Sequence, residues 1–355
     1  MLYSVSQKEV REPVVELSQE KLQFTGNARS YFRIWIVNIF LTIVTLGIFS
    51  AWAKVRRKQY FSATTLLRNS AFEYTGDPWM ILRGRVIAYG LVLAIALTRW
   101  IEMRGYVVLM ILLGLALPYL YWSSARFNAR NTRWRGIPFN FHGSLRGAYT
   151  VWLLLPLAIP FTLGLLFPYV VYRQQKYLVS NHSLGDTNFT YRAESSGGHY
   201  KALVLPVVVF FLYFAGLVYV GLKHPKWLLS IPPDWRTTYT LVSVYAPFFL
   251  AYTFWRAGTA NLLAGNLGLS SAFATSHVKS WRLLWLYFSG FVASIFSAGL
   301  LTPWATTRIY RYRIDSLLLH GVDALDEVKG GVSAAAHAAG QEISDAFDFG
   351  LEFGL

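Results

Sequence analysis

Apolar residues in this chain gather into seven runs, roughly 31–53, 84–101, 106–123, 148–172, 202–222, 238–255 and 283–305, most of them near the length that crosses a hydrocarbon core. That pattern predicts a polytopic helical membrane protein. The second run is the weakest, because only Val86 to Leu97 is uninterrupted and Arg83, Arg85 and Arg99 must reach for the headgroups at its ends. Around the runs lie short boxes of alternating large residues closed by a small one: LQFTG at 22–26, FEYTG at 72–76, FNFHG at 139–143 and FTYRA at 189–193. Such alternation predicts a short strand ending in a turn. Each box is either an aromatic anchor in the headgroup zone or one strand of a small sheet on the membrane face.

The boxes are spaced by a rule. Gly47, Gly114 and Gly164 each close an apolar stretch, and 25 residues later come Phe72 with Tyr74, Phe139 with Phe141, and Phe189 with Tyr191. Two degraded copies follow: Pro303, Trp304, Arg311 and Gly321 repeat Pro118, Tyr119, Arg126 and Gly136, and another copy begins near Pro247. Over these sits a larger repeat, in which residues 24–76 align with 141–193 at an offset of 117, pairing Phe24 with Phe141, Gly26 with Gly143, Trp35 with Trp152 and Tyr60 with Tyr177. Repetition at fixed spacing marks duplication of one structural unit. It divides the chain into a polar tail (1–21), a first membrane repeat (22–140), a second (141–265), a terminal partial repeat (266–320) and an acidic, Ala- and Phe-rich tail (321–355).

Charge bears on topology. If all seven runs cross the bilayer, Lys and Arg divide almost evenly between its sides, against the usual cytoplasmic excess. If 31–53, 148–172 and 283–305 dip in and return, only Arg99, Arg104, Lys223, Lys226 and Arg236 face the far side. The expected fold is therefore an all-α polytopic bundle with internal duplication, in which seven segments span, or four span and three re-enter, with strand-like aromatic boxes at the membrane surface. Full crossing would make the two halves an inverted repeat of the kind many secondary transporters use.

Composition narrows the chemistry. The net charge of +15 hides a basic body and an acidic end: residues 21–320 hold 30 Lys and Arg against seven acids, whereas 321–355 hold seven acids and Lys329 alone. A basic body suits anionic lipid, and no nucleic-acid module accompanies the charge. The absence of cysteine removes disulfides and thiolate sites. The first twenty residues do not form a secretory signal. The seven His are scattered, and there is no H-E-x-x-H, P-loop or G-x-S-x-G, so no catalytic residue, metal site, cofactor or enzymatic activity is expected. The candidates for binding anionic lipid or solute are Lys54, Arg56, Arg57 and Lys58 after the first run, and Arg126, Arg130, Arg133 and Arg135 after the third. The surface aromatic boxes contribute Phe24, Phe72, Tyr74, Phe139, Phe141, Phe189 and Tyr191. Asn38, inside the first run, is expected to bond to a neighbouring helix. The acidic tail is either a disordered terminus or a segment that docks on a basic face.

The string TLGIFSAWAKVRRKQYFSATTLLRNSAFEYTG (45–76), preceded by FTGNARSYFRIWIVNIFLTIV and joined by the ending DAFDFGLEFGL, resembles the YjgN-type family of bacterial inner-membrane proteins over most of residues 22–355. One departure is Ser50-Ala51-Trp52, where Pro commonly precedes Trp. The resemblance implies a multi-pass protein of the bacterial cytoplasmic (inner) membrane, of unassigned function, with no active site to carry over. It also implies a partner, a membrane-associated zinc metallopeptidase often encoded beside such proteins. The function expected is a non-enzymatic membrane scaffold or transport-type module that binds anionic lipid or solute through its Arg- and Lys-rich units. The alternative is a secondary transporter built from inverted repeats, with a midplane substrate site near Asn38 and Leu155.

Overall fold

The structure, a computed structural model, describes residues 18–101, 103–224, 226 and 230–328. The polar N-terminal residues to 17 and the tail beyond 328, with its DAFDFGLEFGL ending, lie outside the described residues. An eleven-stranded antiparallel sheet overturns the expectation of an all-α bundle of seven segments. Its strands are β1 (Gln19–Lys21), β2 (Gln23–Phe24), β3 (Thr65–Leu67), β4 (Ser70–Tyr74), β5 (Thr132–Trp134), β6 (Ile137–Phe141), β7 (His182–Leu184), β8 (Thr187–Tyr191), β9 (Leu267–Leu269), β10 (Ala272–Ser276) and β11 (Leu317–His320). They run β1-β11-β10-β9-β8-β7-β6-β5-β4-β3-β2. Since β1 and β2 are separated only by Leu22, they act as two halves of one strand. Gln19 pairs with His320 on one side, Gln23 pairs with Leu66 on the other, and the sheet closes into a barrel.

The aromatic boxes are strands, and those at 72–76, 139–143 and 189–193 each have a partner that is hidden in sequence as the tail of the preceding helix. Thr65–Leu67 and Thr132–Trp134 follow α-helices after a single intervening residue and then turn straight back. At the first two turns both central residues have positive φ, Arg68 (49°) with Asn69 (57°) and Arg135 (51°) with Gly136 (75°), the geometry that matches the twist of a two-residue hairpin.

Five helical pairs leave the barrel at the end opposite these turns. They are α1 (Ala28–Val44) with α2 (Ser50–Ala63), α3 (Pro78–Ile101) with α4 (Met103–Arg130), α5 (Leu145–Leu157) with α6 (Phe167–Ser180), α7 (Gly197–Lys223) with α8 (Pro233–Gly265), and α9 (Ser280–Phe296) with α10 (Thr302–Asp315). Each outgoing helix packs between its own returning helix and the returning helix of the unit before, α1 lying against α10, so the ten close into a ring. Of the seven apolar runs, 31–53, 148–172 and 283–305 are therefore not single helices. Each breaks at its centre and folds back.

Those three breaks share one geometry. Leu46-Gly47, Leu163-Gly164 and Ala298-Gly299 are successive positive-φ residues. The glycine N–H groups donate five residues back, to Thr42, Ile159 and Ser294 carbonyls at 2.7, 3.0 and 2.7 Å. The hydroxyls of Thr45, Thr162 and Ser297 accept from the N–H of Phe49, Leu166 and Leu301 at 2.9, 3.2 and 2.9 Å, capping the returning helix. Backbone groups at these tips are satisfied internally while Leu46 and Leu163 are each 94% exposed. Gly114, matched to Gly47 by spacing, lies instead within α4 and meets no neighbour.

Register fixes the five units. Counting back 16 residues from the lumen residues Leu67, Trp134, Leu184, Leu269 and Leu319 gives Ala51, Pro118, Pro168, Thr253 and Pro303, all buried. In the fourth copy that position is Thr253, a little past Pro247, where the sequence pattern begins it. The lumen itself is apolar. Leu67, Trp134, Leu184 and Leu269 form its buried layer, and Leu22, Phe72, Phe139, Phe189 and Leu319 pack against them. Phe139 stacks between Phe72 and Phe189, with centroids 6.4 and 6.1 Å away.

Candidate functional site

The structure distributes the eight candidate cations over three places. Lys54, Arg56, Arg57 and Lys58 lie on α2, and Arg126 and Arg130 occupy successive turns of α4. Arg133 projects from the outer side of β5, opposite Glu73 on β4, and Arg135 stands in the β5–β6 turn at the barrel rim. Lys58 Nζ donates to Asn128 Oδ1 of α4 at 2.6 Å, whereas Arg126 and Arg130 stand two residues to either side of Asn128, on the other face of that helix.

Neutral groups meet Arg56, Lys58 and Arg126. Arg56 Nη1 donates to Asn38 Oδ1 at 3.4 Å, and its guanidinium lies 5.1 Å from the Phe49 ring. Lys58 Nζ sits 5.1 Å from the Tyr74 ring, and Arg126 lies 4.7 Å over Trp122. Attraction between cation and ring is modest at exposed sites and stronger where water is excluded. Arg126 Nε is buried with no hydrogen-bond partner among the described residues. A buried guanidinium nitrogen with an unused N–H is suited to an anionic oxygen. Asn38, buried, bonds within its own helical pair, as expected of an interhelical residue.

The boxes are not surface anchors. Phe24, Tyr74, Phe141 and Tyr191 are buried where the barrel meets the helices, and Phe72, Phe139 and Phe189 pack into the lumen. The small residue that closes the box explains itself. A Cβ at Gly26, Gly76 or Gly143 would fall 2.5, 2.6 or 2.4 Å from the ring of Phe24, Tyr74 or Phe141, so the ring folds back over a bare backbone. Tyr60 and Tyr177 then close the unit: Tyr60 Oη donates to the Asn27 carbonyl at 2.9 Å and Tyr177 Oη to the Ser144 carbonyl at 2.8 Å. Burial pushes the Tyr177 phenol up to about 12, keeping it a donor.

Three features escaped the sequence reading. Arg68 and Arg135, on neighbouring hairpin turns, both grip Asp326 of a short helix that crosses the barrel mouth. The Arg135 hydrogen bond, with help from Arg68, holds the Asp326 carboxyl below the ordinary 3.8, so its pairing is complete at neutral pH and is lost only in stronger acid. Inside the ring, His199 Nε2 lies 2.9 Å from Gln175 Oε1, which also accepts from Tyr191 Oη at 3.1 Å. On the barrel wall, a polar recess of about 460 Å³ is lined by Asn140, His142, Asn181, Ser183, Asp186 and Asn188.

Five helical pairs standing in a ring on one barrel, with exposed apolar helices, define an internally repeated protein with two helices, Arg104–Arg130 and Gly197–Lys223, long and apolar enough to cross a membrane among the described residues. The chain belongs to the family described as a bacterial protein of unknown function, DUF898, whose model matches residues 19–346. It is similar to the inner membrane protein YjgN of Salmonella typhimurium (29% identical over 140 residues) and to YjgN of Escherichia coli strain K12 (27% over 145). The matched stretches cover 39% and 40% of this chain and only 35% and 36% of those relatives. No solved structure matches.

Proposed function

We propose that the protein is a non-enzymatic module of the bacterial inner membrane, whose helical pairs enter the bilayer from one face while the barrel stays outside it. On this reading the span candidates are Arg104–Arg130 of α4 and Gly197–Lys223 of α7, the two helices long and apolar enough to cross among the described residues. Supporting it, the tips at Leu46 and Leu163 expose apolar side chains on backbone that is hydrogen-bonded internally, which is what hydrocarbon requires. The basic residues of α2 and α4 then lie near the headgroups and hold an anionic phospholipid. The observation that carries this binding role is Arg126, lying over Trp122 with a buried, unused N–H and one turn from Arg130.

A transporter of two inverted halves has less support, because all five units repeat in the same sense around one barrel. The zinc metallopeptidase partner rests on family resemblance alone.

The binding role is tested by retention of lipid in purified protein reconstituted with phosphatidylglycerol or phosphatidylcholine. Each cation near an anionic surface is worth about 1 kcal/mol. Arg126→Gln with Arg130→Gln should therefore cost about 2 kcal/mol, a factor of about 30 in phosphatidylglycerol affinity, and leave phosphatidylcholine untouched. Equal retention of both lipids by the parent, or no loss in the double variant, refutes the role.

A further inference from the structure

The residues after β11 close the barrel at the end away from the helices. Gly321 turns the chain across the mouth with φ +66°, a conformation that side chains disfavour. Val322, Leu325 and Val328 follow at intervals of three, the repeat of the 3₁₀ turn formed by Val322–Asp326, so they share one face. All three are buried in the lumen cluster with Leu67, Trp134, Leu184 and Leu269. Asp323 and Asp326 point to the rim. Arg68 meets Asp326 Oδ2 at 2.6 Å, Asp323 Oδ1 at 3.5 Å and Glu20 Oε2 at 3.5 Å, and Arg135 Nη1 meets Asp326 Oδ1 at 2.7 Å. Arg68 Nη1 also donates to the Val322 carbonyl at 3.2 Å.

We propose that residues 321–328 are a releasable stopper for the barrel, seated by an ionic latch in which Arg68 and Arg135 share Asp326, and that opening the latch exposes the apolar lumen. The stopper crosses the mouth as a 3₁₀ turn outside the strand ladder, in a form whose hydrogen bonds are poor, and it pivots on a glycine. Its apolar face supplies the attraction. The latch residues are partly exposed, so each pair is individually weak and easily broken. Sharing one carboxylate between two hairpin turns nevertheless fixes where the apolar face lands. This device stands on the barrel alone and does not depend on headgroup binding by α2 and α4.

The chain has no cysteine, so a single thiol reports on the lumen. In a Leu184→Cys background, the rate of modification by a membrane-impermeant maleimide is measured at neutral pH, with the thermal midpoint of each variant recorded alongside. Asp326→Asn, which opens both pairs, should raise the rate about tenfold and Arg135→Gln, which opens one, about threefold, with the midpoint nearly kept, and combining them should add little to Asp326→Asn. Asp326→Glu should stay near the parent rate. Rates unchanged in both neutral variants would overturn the proposal. So would a rise seen only together with a collapsed midpoint, since these residues would then be ordinary barrel core.

Discussion

Gly143→Val should destabilise the protein by about 3 kcal/mol, the upper end of what overpacking costs. The first carbon added at Gly143 already falls 2.4 Å from Phe141 Cζ and 2.6 Å from Tyr177 Oη. Neither can retreat. Phe141 is buried against Tyr177 (5.8 Å, edge on) and His182 (4.9 Å), and Tyr177 is tied to the Ser144 carbonyl. The same trap recurs at Gly26, between Phe24 and Tyr60, so Gly26→Val should behave alike. Gly114→Ala serves as the control, because it sits in α4 with open space around it and should gain up to about 1 kcal/mol from helix propensity. Denaturation midpoints of detergent-purified variants decide the matter. A Gly143→Val protein that melts with the parent would mean the ring-over-glycine contact does not shape the unit.

Phe24→Ala should cost about 3–5 kcal/mol, the range for emptying a buried phenylalanine site. Phe24 lies at the seam where the first strand meets both the third and the last. It stacks on Phe61 at 6.0 Å, meets Tyr310 edge on at 5.0 Å and lies under Arg311 at 5.7 Å, while Arg311 also donates to the Gly26 carbonyl at 2.7 Å. Removing the ring therefore loosens the first unit and the fifth together, and with them the closure of barrel and helical ring. Phe24→Leu keeps most of the volume and should cost less than half as much. Hydrogen exchange would locate the damage. Protection should fall in β3 and β11 alike, whereas a loss confined to α1 would show that Phe24 packs locally and does not close the ring.

Much of this architecture was written in spacing. The Thr-Leu-Gly triplets at 45–47 and 162–164 mark tips of the same shape because the hydroxyl and the glycine perform the same two bonds. Alternation at Phe72-Glu73-Tyr74 marked a strand, since the period of two survives even in five residues. Its partner, Thr65–Leu67, was not legible. Three residues directly after a helix carry no period of their own, and their pairing was fixed by a turn at Arg68-Asn69 that lacks the usual glycine. The barrel closure was invisible for a different reason: Gln19 and His320 are joined only through the whole chain between them. The same holds for the stopper, where two acids after Gly321 read as the start of a solvated tail until Arg68 and Arg135 are placed on adjacent hairpins. On α2 and α4 the cations themselves could be named from sequence, but the bond from Lys58 to Asn128 across a unit boundary could not.

The central claim is that five quasi-equivalent units stand on one closed barrel and enter the membrane from a single face. It is tested by placing one cysteine at each exposed box end, in Thr25→Cys, Thr75→Cys, His142→Cys, Arg192→Cys and His277→Cys, and labelling with an impermeant reagent in right-side-out and inverted vesicles. All five should react from the same compartment. Labelling of Thr25→Cys and Thr75→Cys from opposite sides would mean that α1 and α2 together cross the bilayer, and a single closed barrel on one face could not exist.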